Sequence, residues 1–194
     1  SSVTGVQTCA LPILNSGKTL IQWTYERYVQ FLPVENIFIV TSEEYVSIVA
    51  TQLPDLPKEN ILAEPSKKNT AACIAYISFK LAQKDPEATF VVAPSDHLIL
   101  EQEKFQNIIE KSLHFVSHIK ALATLGIQPT HPNTGYGYIQ YEGLEVSKGV
   151  YKVKTFTEKP TQEIAESFLA RSEEHTSELQ SHLNLVCRLL LEKK

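Results

Sequence analysis

No apolar run in this 194-residue sequence is long enough to cross a membrane, and basic residues are not in excess, 18 Lys and Arg standing against 22 Asp and Glu. The first absence excludes a transmembrane helix. The second excludes a chain that follows a nucleic-acid backbone by charge. Internal repeats and low-complexity tracts are missing too, so length and composition fit one globular domain of α/β size. Cysteine is scarce, with 3 in all, which argues against a disulfide framework.

The two ends do not read like the middle. "RSEEHTSELQSHLNLVCRLLLEKK", Arg171 to Lys194, is the translation, residue for residue, of a short-read sequencing adapter with its barcode and poly-A end. "SSVTGVQTCALPI", Ser1 to Ile13, is the translation of the reverse complement of that adapter's first part, and the barcode agrees at both ends. Residues 1–13 and 171–194 are therefore expected to be non-native and are set aside from fold reasoning as tags would be. Residues 14–170 remain as a partial domain. Of the cysteines only Cys73 lies within it, which favours a reducing, cytosolic setting. The tail holds four basic and four acidic residues and the first segment none, so the net charge of -4 is unchanged.

Within residues 14–170, helical and extended patterns alternate. "KTLIQWTYERYVQFL", "EEYVSIVATQL", "NTAACIAYISFKLAQKD", "EKFQNIIEKSLHFVSH" and "TQEIAESFLA" predict helices. Ser42 is expected to cap the second of these, and Asp85-Pro86 to end the third. "NIFIVT", "NILAEP", "TFVVAP", "IKALATLGI" and "GVYKVKTFTEKP" predict strands, the third so continuously apolar that burial on both faces of a parallel sheet is expected. This order is that of a layered α/β domain. "QPTHPNTGYGYIQYEG" predicts a long loop leading into a hairpin.

Open parallel sheets bind ligands outside the carboxyl ends of their strands. Two expected strands end there in polar groups: "TFVVAP" in Ser95-Asp96-His97, and "KVKTFT" in Glu158-Lys159-Pro160. Asp96 reads either as a hard oxygen ligand for a divalent cation bound to phosphate or as a loop carboxylate. Lys159 suits a phosphate as a point charge and Glu158 can accept from sugar hydroxyls, while a surface ion pair explains both as simply. Gly135 and Gly137 would let backbone approach a ligand, or merely serve a turn. In "EPSKKNTAA", Asn69 or Thr70 can cap the next helix, whose free N–H groups also suit an anion.

Taken together, "EPSKKNTAACIAY", "VVAPSDHLI", "TLGIQPTHPNTGYGYI" and "FTEKP", in this order and spacing, resemble the mannose-1-phosphate guanylyltransferase family of sugar nucleotidyltransferases. The resemblance implies a Rossmann-like nucleotide-diphospho-sugar transferase fold of the α/β class, a mostly parallel sheet with helices on both faces, incomplete here at both ends. It also implies transfer of GMP from GTP to mannose 1-phosphate with Mg²⁺, giving GDP-mannose and pyrophosphate. By motif, Asp96 corresponds to the metal-binding aspartate and Glu64, Asn69, Thr70 and Ser95 to the nucleotide side. Gly135 and Tyr136 fall in the sugar-facing loop, Glu158 matches the sugar-hydroxyl ligand, and Lys159 the sugar-phosphate lysine.

Departures from the family pattern are equally specific. Where the family opens with a strand and a basic, glycine-rich phosphate loop, adapter stands; beyond "TEKP" a further sugar-binding stretch and a second metal-binding aspartate are expected and missing. Lys68 replaces a usual arginine and Ala72 a common proline. The parent protein is thus expected to be a cytoplasmic enzyme acting on GTP and mannose 1-phosphate, with no nucleic-acid or membrane partner and with homo-oligomers open, while this chain is expected to be inactive. The alternatives are a sister enzyme using another sugar 1-phosphate, or a non-catalytic subunit that senses sugar nucleotides.

Overall fold

The computed structural model describes residues 17–66, 69–119, 121–170, 175–178 and 188–192, in two compact units, residues 1–98 and 99–194. In the first unit, helix α1 (Leu20–Val29) opens on a capping box: the Thr19 side chain accepts from the Gln22 backbone N–H while the Gln22 side chain accepts from that of Thr19. Two of the orphan donors of the first turn are thereby satisfied. Leu20, Ile21, Thr24, Tyr25, Arg27 and Tyr28 are buried, a helical stripe that is apolar except for Thr24 and Arg27. The Thr19 hydroxyl also donates to the Gln52 side chain at 2.9 Å, and the Gln22 amide to the Gln52 carbonyl at 3.0 Å, tying the start of α1 to the end of helix α2 (Val46–Gln52).

Strands β1 (Ile39–Ser42) and β2 (Ile61–Glu64) pair in parallel, Ile39 opposite Ile61 and Ser42 opposite Glu64. A short repeat escapes the sequence reading: Leu32-Pro33-Val34-Glu35-Asn36-Ile37 returns as Leu56-Pro57-Lys58-Glu59-Asn60-Ile61. Each copy folds as one 3₁₀ turn that begins at the residue after its proline and delivers the chain into a strand. Asn60 locks the two together: buried, it donates to the carbonyls of Glu35 and Ile37, both at 2.9 Å. Helix α3 (Asn69–Lys84) follows β2.

Two local expectations need correction. Ser42 makes no capping hydrogen bond; a 3₁₀ turn over Glu43–Tyr45 intervenes before α2, and the Ser42 hydroxyl donates to Glu44 instead. More consequentially, Thr89–Pro94 forms no strand. Phe90 and Val92 stand 39% and 49% exposed, so an apolar run that reads as a doubly buried strand is only partly covered and has no ladder among the described residues. Apolarity records what a segment needs, whereas a ladder requires a partner strand at the right place, which comes from elsewhere in the chain.

In the second unit, helix α4 (Gln102–Ile119) is followed by β3 (Leu122–Ile127), β4 (Tyr138–Ser147), β5 (Val150–Thr157) and helix α5 (Gln162–Ala170). The hairpin β4–β5 is antiparallel, with register shifts between Gln140 and Ser147. Two further strands, β6 (His175–Glu178) and β7 (Arg188–Glu192), lie in the segment that reads as adapter and close a barrel in the order β3, β6, β4, β5, β7. Parallel pairing thus belongs to β1–β2 and β5–β7, with antiparallel pairs elsewhere. Phe115, Val116 and Ala121 pack on the fully buried Val150, and Tyr151 and Val153 on Ile139 and Tyr141. None of the described helices is long and apolar enough to cross a membrane.

Candidate active site

The candidate residues fall on separate loops of the two units. In the first, Glu64 ends β2, and Thr70 stands exposed in the first turn of α3. Cys73, one turn further, feels both burial and the Glu64 charge, which together raise its thiol above the ordinary range. A raised thiol is a poor nucleophile, so packing accounts for Cys73. Lys68 and the side chain of Asn69 lie outside the described residues.

Ser95 and Asp96 belong to a turn held from α1. The Thr24 hydroxyl donates to the Ser95 carbonyl at 3.3 Å, and Nη2 of Arg27 to the His97 carbonyl at 3.2 Å. Arg27 is only 3% exposed, and burial lowers its pKa. Between those carbonyls the Asp96 side chain is left 49% exposed, with Oδ1 4.0 Å from Nε2 of a 13% exposed His97. Burial pushes the His97 imidazole below its usual range; Asp96 pulls the other way and the Arg27 charge adds to the lowering.

Among the described residues no group of three or more His, Cys, Asp and Glu could enclose a metal ion. A single half-exposed carboxylate nevertheless fits Mg²⁺, which keeps several waters and takes its other ligands from substrate phosphates. The Asp96 carboxylate, half exposed on its turn, has that character.

The second unit assembles its own cluster. In the loop before β4, the Asn133 side chain accepts from the Gly135 N–H at 2.8 Å, and the Tyr138 hydroxyl accepts from the Asn133 N–H at 2.9 Å. The Gly135 N–H closes an Asx turn, and a Cβ there would lie only 3.1 Å from Asn133 Oδ1; Tyr136 follows it. Gly137 is small for a different reason: a Cβ there would lie 2.5 Å from Cζ of Phe156 and 3.3 Å from Oε2 of Glu158. Glu158 Oε1 pairs with Nζ of Lys159 at 3.3 Å, both side chains more than half exposed. Lys159 takes φ of 42°, a left-handed conformation that a side chain rarely adopts. The surface ion pair is present, and its partners also stand open to solvent beside Gly137. Asp96 and Glu158 were legible in sequence as loop carboxylates; the hydrogen bonds from Thr24 and Arg27 were not, although two polar residues three apart on an apolar stripe were the available signal.

Comparison with known proteins places these loops in context. Residues 4–177 match the Nucleotidyl transferase family, and the chain belongs to it. A Vibrio cholerae relative is 38% identical over 160 residues, covering 82% of this chain and 34% of its own. An Escherichia coli relative, named mannose-1-phosphate guanylyltransferase, is 35% identical over 167 residues, covering 82% of this chain and 36% of its own. The chain therefore spans about a third of the length of the curated relatives it matches. A solved structure from Thermus thermophilus, described as a mannose-1-phosphate geranyltransferase, superposes with a TM-score of 0.77 at 23% identity, over 98% of this chain and 52% of that one. At that identity the likeness speaks for the α/β nucleotidyltransferase fold.

Proposed function

We propose that the whole protein transfers GMP from GTP to mannose 1-phosphate, releasing pyrophosphate. The observation that carries this is the pairing of a chain-wide match to guanylyltransferase relatives with charged groups presented on loops, Asp96 in one unit and Glu158 and Lys159 in the other. An oxygen of the sugar phosphate would attack the α-phosphorus in line, so the protein's task is mainly positioning and charge neutralisation. Mg²⁺, when bound, would neutralise charge developing on the nucleotide phosphates. Asp96 would hold that ion, Lys159 would offset the phosphate of the sugar, and Glu158 would accept from its hydroxyls. Glu64, Ser95, Asn69 and Thr70 serve the nucleotide side, and Gly135 and Tyr136 the sugar.

Residues 14–170 are this chain's share of the transferase domain and are not active by themselves, residues 1–13 and 171–194 being translated adapter, and a single native cysteine suits the cytosol. The test is pyrophosphate release by the whole protein across a panel of nucleoside triphosphates and sugar 1-phosphates. GTP with mannose 1-phosphate should exceed every other pair at least tenfold. Equal turnover with another sugar phosphate would point to the sister enzyme, and no turnover with any pair to a sensing subunit.

A further inference from the structure

We infer that Thr24 and Arg27 are positioning residues for Asp96, a role that rests on reading Asp96 as the ligand of the phosphate-bound metal. The two lie three apart on one face of α1, and they donate to the carbonyls of Ser95 and His97, the residues on either side of Asp96. The contacts span 71 and 70 positions in sequence. Helix α1 therefore pins the backbone on both flanks of residue 96 and leaves its carboxylate half exposed.

Burial of a guanidinium is costly unless it is well satisfied. The chain nevertheless places Arg27 at 3% exposure, with one nitrogen directed at a loop carbonyl. Leucine or methionine would fill the same stripe of α1 without that cost. A carboxylate that must meet a hydrated cation and a phosphate together benefits from a backbone that does not have to be ordered on binding. Its two anchors come from a helix held at its start by the Thr19–Gln22 capping box and by Gln52. Thr24 and Arg27 touch neither metal nor substrate; they act through the turn.

The test uses the 194-residue chain with amide hydrogen exchange and Mn²⁺ alone as a paramagnetic probe. Arg27→Met and Thr24→Val should each raise exchange at Asp96 to Leu98 at least tenfold, while amides of β1 and β2 stay within twofold. Mn²⁺ should broaden the amide signals of this turn in the parent chain and require at least fivefold more ion in Arg27→Met. Arg27→Lys should recover most of the protection, because it keeps a donor on the helix face. Turn exchange within twofold of the parent in both variants would overturn the inference, as would a rise spread evenly over the first unit. Where Arg27→Met does not fold, Thr24→Val and Arg27→Lys decide the question by the same criteria. Asp96→Asn separates the two levels: unchanged Mn²⁺ broadening in that variant sinks the metal assignment, whatever exchange shows for the clamp.

Discussion

The two units hold their candidate residues by opposite means. In the first, Asp96 rides on a turn anchored through hydrogen bonds from buried side chains of α1. In the second, Glu158 and Lys159 are placed by steric closeness, a glycine with no room for a methyl group and a lysine in a left-handed backbone. The first arrangement depends on donors and should be sensitive to their chemistry. The second depends on volume and dihedral angle and should be sensitive to size. Both present charge at a surface, yet different substitutions break them.

The largest effect should come from Asp96→Asn, which keeps the shape of the turn and removes the charge. In the whole protein it should lower the rate of pyrophosphate release on the order of 100-fold, with stability in urea unchanged. A thermal loss instead would show that Asp96 serves the fold. Next, alkaline titration probes the buried stripe that carries the clamp: burial pushes the Tyr28 hydroxyl up to about 12 from 10.0. The folded state then binds the proton more tightly than the unfolded chain. The stability this confers is complete below pH 10 and lost as pH rises toward 12, at most roughly 3 kcal/mol. Urea midpoints measured from pH 9 to 12 should fall, and Tyr28→Phe should flatten the curve.

Asn60→Ala should destabilise the first unit by about 2 kcal/mol, since two carbonyls lose their buried donor. Equilibrium denaturation checks it, and no change would mean that water replaces the amide freely. In the second unit, Gly137→Ala should cost about 1 kcal/mol, at the low end for overpacking because the half-exposed Phe156 ring can swing aside. The added methyl should displace Glu158 as well, so Gly137→Ala with Phe156→Leu is expected to restore stability. The smallest effect on folding is at Lys159→Gly: relief of the left-handed backbone should give a gain below about 1 kcal/mol, partly offset by greater freedom of the unfolded chain. The same change should raise KM for mannose 1-phosphate, and an unchanged KM would remove Lys159 from the site.

Helices α3 and α4, of 16 and 18 residues, were the most legible because their apolar positions recur over several turns. Helix α4 follows its expected span, Gln102–Ile119 against "EKFQNIIEKSLHFVSH". The loop charges were legible as residues: Asp96 follows an apolar run, and Glu158 and Lys159 follow β5, with charge that a core would not use. What held them in place was hidden. Thr24 and Ser95 are 71 positions apart, and no local spacing connects them. Gly137 read equally well as a turn or as a ligand approach until the Phe156 ring supplied a reason of its own.

Thr89–Pro94 marks the boundary most clearly. Its composition determined that the segment is apolar and ends in Ser95-Asp96-His97, but not that it would find a neighbouring strand. By itself, then, the sequence determined the alternation of helices and extended runs, the family to which the motifs belong, and the chemical character of the loops. Tertiary structure alone decided which apolar run gained a ladder, which carbonyls took up the buried Arg27 and Thr24, and which glycine was required by a neighbouring ring. The reason is physical: periodicity within a few turns reports what each segment would bury, whereas partners distant in sequence exist only once the chain has closed upon itself.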